Sequence, residues 1–343
     1  MLRRCATILL AAGLLLFLPG ASVGVRAQSS ASASANKLCF AFLRQGDLWL
    51  TCGGKSGPLT VGGRVYGYAL SWDGSHLALY KSRSSRTPEA DSGKDHETVV
   101  VALKEAFATS LSPLQFDVAG LWSSCNRIFA TERLPNLAGT RGMYDVVTGN
   151  PIRLTDLVGG LTGKSKDDDF ASFACSSDRS VVVGILNPEH APLVPRLLVA
   201  EWPASFEISE GVDGYALSPS GAYIAYQRLG ANCVAQITGR TIHIDCVRGV
   251  RSLGGLSVSN SGEILAEQED NRPEGCFYTD RQHYHLPSER PGHQAQDACP
   301  AIWYWRPGDN DETMVEDLAG TPQWITQEQA ALLRKWSLYA AKR

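Results

Sequence analysis

The sequence predicts an all-β protein: a β-propeller of six four-stranded blades, closed by joining its N- and C-terminal ends and followed by a C-terminal helix. Three observations predict this fold. The stretch at 67–80 returns at 214–227, where both copies begin Gly-Tyr-Ala-Leu-Ser and seven of the 14 positions are identical. Weaker copies recur at intervals of 41 to 52 residues, which is close to the length of a propeller blade. Further short apolar runs lie between the copies, so each interval holds about four strands.

Each copy contains an apolar run, a polar turn and a second apolar run, which is the pattern of two antiparallel strands joined by a tight turn. A β-sandwich, the alternative architecture, gives no reason for such a motif to return at blade length. The equivalent residues are Ser71, Ser123, Cys175, Ser218 and Ser259, with steps of 52, 52, 43 and 41 residues. Between the copies, further strand pairs are predicted at 98–103 with 107–111, 143–147 with 151–155, 196–201 with 205–209, and 233–237 with 241–246.

Residues 1–27 have the features of a secretory signal peptide. Arg3 and Arg4 precede an apolar run, and small residues suited to cleavage stand before Gln28. The alternative, a membrane anchor, needs a run of about 20 apolar residues. We therefore expect a periplasmic or secreted protein that has no transmembrane segment after cleavage and begins with a flexible leader at 28–37. The remaining 29 basic and 35 acidic side chains give a net charge of −6, which disfavours nucleic acid as a partner.

The propeller is expected to cover 38–325. A hairpin candidate at 38–50 precedes the first repeat, so it predicts the outer pair of a blade whose inner pair comes from the other end of the chain. The segments 302–305 and 313–315 are the candidates for that inner pair. Five internal blades and this composite blade make six, whereas a merged or missed repeat would make five or seven.

The C-terminal residues 326–343 predict an amphipathic helix. Thr326 can cap its N-terminus, with Gln329 three residues later. The residues at helical spacing form an apolar stripe that predicts packing against the propeller, and a docking helix for a partner is the alternative. The stripe comprises Leu332, Leu333, Trp336, Tyr339 and Ala340.

Two segments resemble the repeats of TolB-type, WD40-like β-propellers. They are Tyr-Ala-Leu-Ser-Trp-Asp-Gly-Ser-His-Leu-Ala-Leu-Tyr at 68–80 and Tyr-Asp-Val-Val-Thr-Gly-Asn-Pro-Ile-Arg-Leu-Thr at 144–155. The resemblance covers about 60–270 and implies blade structure without specifying function. We expect neither the N-terminal domain of TolB nor the hydrolase domain of prolyl-peptidase relatives. The turn aspartate of the family is matched only at Asp73, because the other equivalents are Cys125, Ser177, Ser220 and Ser261.

Eight cysteines remain after the signal peptide, and an even number in an exported protein favours disulfides. Two-residue turns at 45–46 and 239–240 would place Cys39 opposite Cys52 and Cys233 opposite Cys246, each at a pair that is not hydrogen-bonded. The Cα atoms of such pairs approach to about 4.5 Å, which suits a disulfide. The other expected pairs are Cys125 with Cys175, across neighbouring blades, and Cys276 with Cys299. Buried free thiols, or other pairings among these cysteines, are the alternatives.

The strongest metal candidate is a histidine group between Cys276 and Cys299. His283 and His285 would project to the same side of a strand, and His293 could complete a Zn²⁺ or Cu²⁺ site. The favoured alternative is an exposed, proline-rich insertion.

Other candidates are weaker. The acidic run 167–169 could bind Ca²⁺ but lacks the alternating ligand spacing, and 159–165 is one residue short of a phosphate loop. No nucleophile elbow of the form Gly-x-Ser-x-Gly occurs, so no catalytic residue and no required cofactor are assigned.

These observations favour an exported, non-catalytic binding or scaffold protein of the cell envelope. An envelope protein or a small ligand would bind at the mouth of the propeller channel, where loop residues converge. The alternative is a propeller enzyme, a hydrolase or lyase with carboxylate and histidine chemistry at that mouth. Assembly through the C-terminal helix is a third possibility.

Overall fold

The computed structural model describes residues 38–82, 96–105, 118–132, 143–152, 170–186, 196–201, 204–228, 230–239, 241–248, 252–270 and 299–340. These residues form 22 strands and one helix. Among them, no helix has the length and apolar character needed to cross a membrane.

The strands form six antiparallel sheets. Sheet 1 contains β1 (Cys39–Arg44), β2 (Asp47–Cys52), β3 (Lys55–Pro58) and β22 (Gly320–Trp324); sheet 2 contains β4 (Val65–Leu70), β5 (His76–Ser82) and β6 (His96–Ala102); sheet 3 contains β7 (Val118–Ser124), β8 (Arg127–Glu132) and β9 (Met143–Asp145). Sheet 4 contains β10 (Phe170–Cys175), β11 (Val181–Leu186), β12 (Arg196–Glu201) and β13 (Ala204–Glu210); sheet 5 contains β14 (Val212–Leu217), β15 (Tyr223–Arg228), β16 (Ala231–Thr238) and β17 (Thr241–Arg248); sheet 6 contains β18 (Ser252–Val258), β19 (Ile264–Asp270), β20 (Cys299–Trp305) and β21 (Thr313–Asp317).

The sheets are arranged in a closed ring, which makes the fold a β-propeller. The first strand of each sheet contacts the first strand of the next, in the order β22, β4, β7, β10, β14, β18 and back to β22. Six apolar clusters lie one in each space between neighbouring sheets. In β5, for example, Leu77 and Leu79 face sheet 1 whereas Ala78 and Tyr80 face sheet 3. The second strands, such as β5, are therefore largely apolar on both faces, because both faces are buried.

The closing strand differs from the prediction. The segments at 302–305 and 313–315 do not complete sheet 1, because they lie in β20 and β21 and pair within sheet 6. Sheet 1 instead receives a single strand from the C-terminal side, β22, which pairs with β1. The sequence of β22 is Gly-Thr-Pro-Gln-Trp, and a strand containing glycine and proline has a weak sequence signal. Proline is tolerated here because β22 lies at the edge of its sheet.

Four of the six sheets have the expected four strands, and sheets 2 and 3 have three among the described residues. The predicted strand at 107–111 lies outside those residues, as do 153–155 of the pair predicted at 151–155. Within that pair, Pro151 forms an isolated bridge with Tyr144.

The single described helix, α1 (Gln327–Ala340), packs on the ring as the apolar stripe predicts. Ala330, Leu333 and Trp336 are buried in the cluster between sheets 1 and 2. The N-terminus has the predicted capping box: the Gln329 N–H donates to Thr326 Oγ1 (3.1 Å), and the Thr326 N–H donates to Gln329 Oε1 (2.7 Å).

Three disulfides are present among the described residues. Cys39 pairs with Cys52 and Cys233 with Cys246, and both hairpins have the predicted register, with Arg44 opposite Asp47 and Thr238 opposite Thr241. Their Cα separations are 4.0 and 4.1 Å, which fits pairs that are not hydrogen-bonded. The third disulfide joins Cys125 to Cys175 across sheets 3 and 4. The proposed partner of Cys299, Cys276, lies outside the described residues.

Candidate functional site

The two faces of the ring are built differently. At one, which we call the corner face, the first strand of a sheet turns back into the second. Hydrogen bonds join every neighbouring pair of sheets there, so that this face is a continuous ring. The partners are Gln323 with Leu70, Ser123 with Leu70, Cys125 with Cys175, Ser177 with Pro219, Ser220 with Asn260, and Trp324 with Ser257.

Serine and aspartate side chains brace the turns of the corner face. In sheet 2, Ser71 and Ser75 donate to Asp73 Oδ1, and in sheet 4, Ser176 and Ser180 donate to Asp178 Oδ1 in the same way. The hydroxyl of Ser176, followed by the groups of Ser180, lowers the pKa of Asp178 to about 2. At Asp73, burial acts to raise the pKa, but the hydrogen bonds from Ser75 and Ser71 outweigh it and the pKa is lowered.

This geometry corrects the alignment of the repeats. The residue equivalent to Ser71 is Ser176 rather than Cys175, so the turn aspartate is present in two copies instead of at Asp73 alone. The copy at Ser123 is also misplaced, because sheet 3 turns through the two residues Cys125 and Asn126 and has no equivalent serine. Ser218 and Ser259 keep their predicted positions, since each hydroxyl accepts the first N–H after its turn.

The opposite face, which we call the loop face, carries connections of very different lengths. Here the second strand of each sheet is linked to the third. The connections are 45–46, 83–95, 133–142, 187–195, 229–230 and 271–298. They range from two residues in sheets 1 and 5 to 28 in sheet 6, whereas the turns between first and second strands at the corner face have five residues in sheets 2, 4, 5 and 6 and two in sheet 3. Variation on one face of a rigid scaffold is typical of a surface that carries function.

An aromatic cluster, which the sequence patterns did not predict, lies at the loop-face end of sheet 2. Tyr66 of β4, Tyr80 of β5 and His96 of β6 are all half-buried. The ring centroids of Tyr66 and His96 are 4.7 Å apart, and those of Tyr80 and His96 are 5.1 Å apart. The Tyr80 hydroxyl and His96 Nδ1 form a hydrogen bond of 2.7 Å. The sequence indicated this cluster only through position, because each of the three residues lies within two positions of a strand end on this face.

The predicted metal ligands and acidic run cannot be placed on either face. His283, His285 and His293 lie in the connection 271–298, and the runs 159–165 and 167–169 also lie outside the described residues. Within the described ranges, no three His, Cys, Asp or Glu side chains come together as a metal site. The histidine–carboxylate ion pair in those ranges is His243 with Asp245 (3.4 Å), on the outer strand β17 rather than at the channel mouth.

A buried carboxyl group lies at the closing seam, which we define as the interface between sheet 6 and sheet 1. Glu267 of β19 is only 5% exposed. Its side chain fills space left by two glycines: a Cβ on Gly320 would lie 2.6 Å from Oε1, and one on Gly255 would lie 2.9 Å from the Glu267 Cβ. The Thr321 N–H donates to Oε2 (2.7 Å). Burial raises the pKa of Glu267 to about 7, although the Thr321 hydrogen bond acts in the opposite direction.

Thr321 of the closing strand also accepts a hydrogen bond from sheet 2. The hydroxyl of Tyr68 donates to the Thr321 carbonyl oxygen (2.9 Å). Burial, followed in smaller part by the charge of Glu267, raises the pKa of Tyr68, so this phenol stays protonated as a donor. Thr321 is thus fixed between Glu267 of sheet 6 and Tyr68 of sheet 2.

In the outer part of the closing seam, an arginine joins sheet 1 to sheet 6. Arg44 of β1 donates to the Glu316 carboxylate (2.5 Å) and to the carbonyl oxygen of Asp317 (2.9 Å), both in β21. Its guanidinium carbon lies 5.2 and 5.0 Å from the ring centroids of Phe42 and Trp49. This arrangement combines an ion pair with cation–π contacts and joins sheet 1 to sheet 6 where the chain ends meet.

A second carboxyl group, which is half-buried, lies on the other side of sheet 6. Glu312 accepts hydrogen bonds from the amides of Asn232, in sheet 5, and Gln268. Burial raises the pKa of Glu312, and the two amides partly offset that effect. Asp73 and Asp178 therefore brace turns, whereas Glu267, Glu312 and Glu316 join neighbouring sheets.

Comparisons with known proteins assign no family to the chain. No protein-family model and no curated protein sequence matches the chain. Similar solved structures include the β-propeller domain of Cps50 (Swd1) from Myceliophteria thermophila, at 9% identity over 81% of this chain and 85% of that one, with a TM-score of 0.41. Hydrazine synthase from Kuenenia stuttgartiensis is similar at 13% identity over 68% and 74% of the two chains, with a TM-score of 0.36. A candidate 6-phosphogluconolactonase from Bacteroides fragilis is similar at 10% identity over 82% of this chain and 82% of that one, with a TM-score of 0.39.

Proposed function

We propose that the protein is an exported binding or scaffold protein that holds an envelope partner or a small ligand at the loop face of a six-bladed propeller. The fourth strands of sheets 2 and 3 would then lie outside the described residues. The observation that carries the proposal is the contrast between the two faces. The corner face is hydrogen-bonded into a continuous ring, whereas the connections that join second to third strands at the loop face have two to 28 residues. A rigid ring with one variable face provides a preorganised binding surface.

The aromatic cluster lies on the loop face and supports its assignment as the binding surface. Tyr66, Tyr80 and His96 are half-buried and hold one another through ring contacts. Aromatic side chains that are fixed before binding contribute much of the energy of protein interfaces, because little side-chain entropy is lost when they are covered. We therefore assign this cluster as an anchor point of the binding face.

Export is supported by the three disulfides, because such bonds persist in oxidising compartments. A periplasmic or secreted location also agrees with the signal-peptide features at 1–27. N-terminal sequencing of the protein from its native host tests this location, since the proposal expects a mature chain that begins near Gln28.

Capture from native envelope extract tests the binding function. Tyr66→Ala should lower recovery of the partner about tenfold relative to the unchanged chain, which is the effect of losing an aromatic anchor. Glu328→Gln on the exposed side of α1 is the matched control and should leave recovery unchanged. Equal recovery with both variants, when both melt at the same temperature as the original chain, would contradict the proposal.

The second candidate is a hydrolase or lyase, and one observation favours it. A carboxyl group with a pKa of about 7, such as that of Glu267, suits general acid–base catalysis at neutral pH. The same carboxyl is 5% exposed and lies against Gly255 and Gly320, so a substrate would have to open the closing seam to reach it. Binding at the loop face needs no such opening. Substrate turnover that Glu267→Gln abolishes in a folded protein would favour the enzyme.

A further inference from the structure

The outer strand of sheet 5, β17, has an edge with which no described strand pairs. The strand has eight residues, and it pairs with β16 without interruption from Thr238↔Thr241 to Ala231↔Arg248. All of its side chains except that of Val247 are exposed or half-buried, and Ile244 is 42% exposed. A long, regular edge with an exposed apolar residue is a template for pairing with another strand.

The other outer strands of the four-stranded sheets have features that discourage such pairing. β3 has four residues and ends at Pro58. The pairing of β13 shifts register between Leu197 and Leu198 of its neighbour, and that of β21 shifts between Ile302 and Trp303. Short length, proline and register irregularity all protect an edge. β17 contains no proline, no lysine and no register shift.

The pairing of β17 with β16 determines which of its backbone groups face outward. Cys233 and Cys246 have a Cα separation of 4.1 Å, so they are a pair without mutual hydrogen bonds. Such pairs alternate with hydrogen-bonded ones, which means that Ile242, Ile244 and Cys246 direct their N–H and C=O groups away from β16. Among the strands that the structure describes, none pairs with these groups.

We propose that two copies of this chain associate through β17, as antiparallel strands related by a two-fold axis at Ile244. In that register Ile244 pairs with Ile244 of the second copy, and Ile242 pairs with Cys246. All three residues then use their outward N–H and C=O groups, so each copy extends the four-stranded sheet 5 into an eight-stranded sheet.

Charge complementarity favours this register and favours a second copy of the chain as the partner. Pairing about Ile244 places His243 opposite Asp245 of the second copy, at positions without mutual backbone hydrogen bonds, where Cα atoms approach to about 4.5 Å. An imidazole N–H then faces a carboxylate twice across the axis. His243 and Asp245 already contact each other within one strand at 3.4 Å, so both are positioned on the same face. A two-fold axis at Ile242 or Cys246 would place Asp245 opposite residue 239 or 247 and lose this match.

The first test measures the molar mass of the purified, disulfide-bonded chain by light scattering and sedimentation. The expected mass is twice that of the monomer. Ile244→Pro removes the outward donor at the centre of the new pairing and leaves the bonds to β16 in place, so it should give a folded monomer. Ile244→Val keeps the donor and should remain dimeric. A monomeric original chain at concentrations up to millimolar, or a dimer that survives Ile244→Pro, overturns the proposal.

A charge exchange provides a second test that does not alter the backbone. Asp245→Lys places two basic groups opposite each other and should raise the dimer dissociation constant about tenfold or more. Adding His243→Asp to that variant restores opposite charges and should bring the constant back towards the original value. An unchanged constant in the single variant, or no recovery in the double variant, contradicts the register. Circular dichroism should show an unchanged fold for all variants.

Discussion

Glu267→Gln is expected to remove most of the pH dependence of stability that arises at the closing seam. The pKa of Glu267 rises from 4.5 to about 7 on folding, chiefly through burial. At about 1.4 kcal/mol for each pKa unit, ionising this carboxyl in the folded protein costs about 3 kcal/mol. Because the pKa is raised in the folded state, the contribution of Glu267 to the free energy of unfolding is most favourable below about pH 4.5, falls as pH rises towards 7 and is constant above it.

Glutamine has nearly the same shape as the protonated acid and can still accept the Thr321 N–H through its carbonyl oxygen. The variant should therefore have about the same stability as the original chain near pH 4.5 and should be more stable by about 3 kcal/mol near pH 8. Comparing the two proteins at each pH cancels the contribution of Glu312, whose pKa is also raised, and of Asp73 and Asp178, whose pKa values are lowered.

Urea unfolding followed by both circular dichroism and tryptophan fluorescence measures this difference and tests whether the transition has two states. Gln327→Ala, at an exposed position in the first turn of α1 that carries no titratable group, is the control and should change stability equally at both pH values. A difference between the original chain and Glu267→Gln that is the same near pH 4.5 and near pH 8 would refute the assignment of this titration to Glu267.

Three further predictions concern the corner face and the helix. Gln329→Ala should lower the free energy of unfolding by about 1 to 2 kcal/mol, because it removes the capping box, whereas Gln327→Ala should change it little; thermal unfolding distinguishes them. Gly221→Ala should be more destabilising than Gly230→Ala, since both glycines have positive φ but only the first has neighbours within 3.1 Å of an added Cβ; equal losses in urea unfolding would contradict this. Deleting 326–343 should lower the melting temperature by exposing the cluster between sheets 1 and 2, and an unchanged temperature with an altered oligomeric state would favour the docking-helix alternative.

The features that sequence predicted well are local. The registers of the two hairpins that carry disulfides follow from counting outward from a two-residue turn, and the structure has these registers. The capping box of α1 depends on residues three positions apart. The repeat motif located the corner hairpins but misaligned the turn in sheet 4 by one residue, because Cys175, Ser176 and Ser177 are all small and only the hydrogen bonds to Asp178 distinguish them.

The features that sequence did not predict depend on contacts between distant strands. Glu267 lies in the run Glu-Gln-Glu-Asp, which is typical of an exposed strand end, and it is buried only because Gly255 and Gly320 leave space for it. The closing strand β22 has low strand propensity and is fixed by neighbours from sheets 1, 2 and 6. The aromatic cluster brings Tyr66 and Tyr80 to His96 through pairing in sheet 2, which a local pattern does not show.

Photo-cross-linking in the native host tests the central claim most directly, because it reports which face of the ring meets a partner. A photoreactive phenylalanine analogue at Tyr66, on the loop face, is compared with the same analogue at Glu328, on the exposed side of α1. The proposed function predicts a covalent adduct of defined mass from the first position and none from the second. Adducts from Glu328 with none from Tyr66 would contradict it and would assign partner binding to the helix instead.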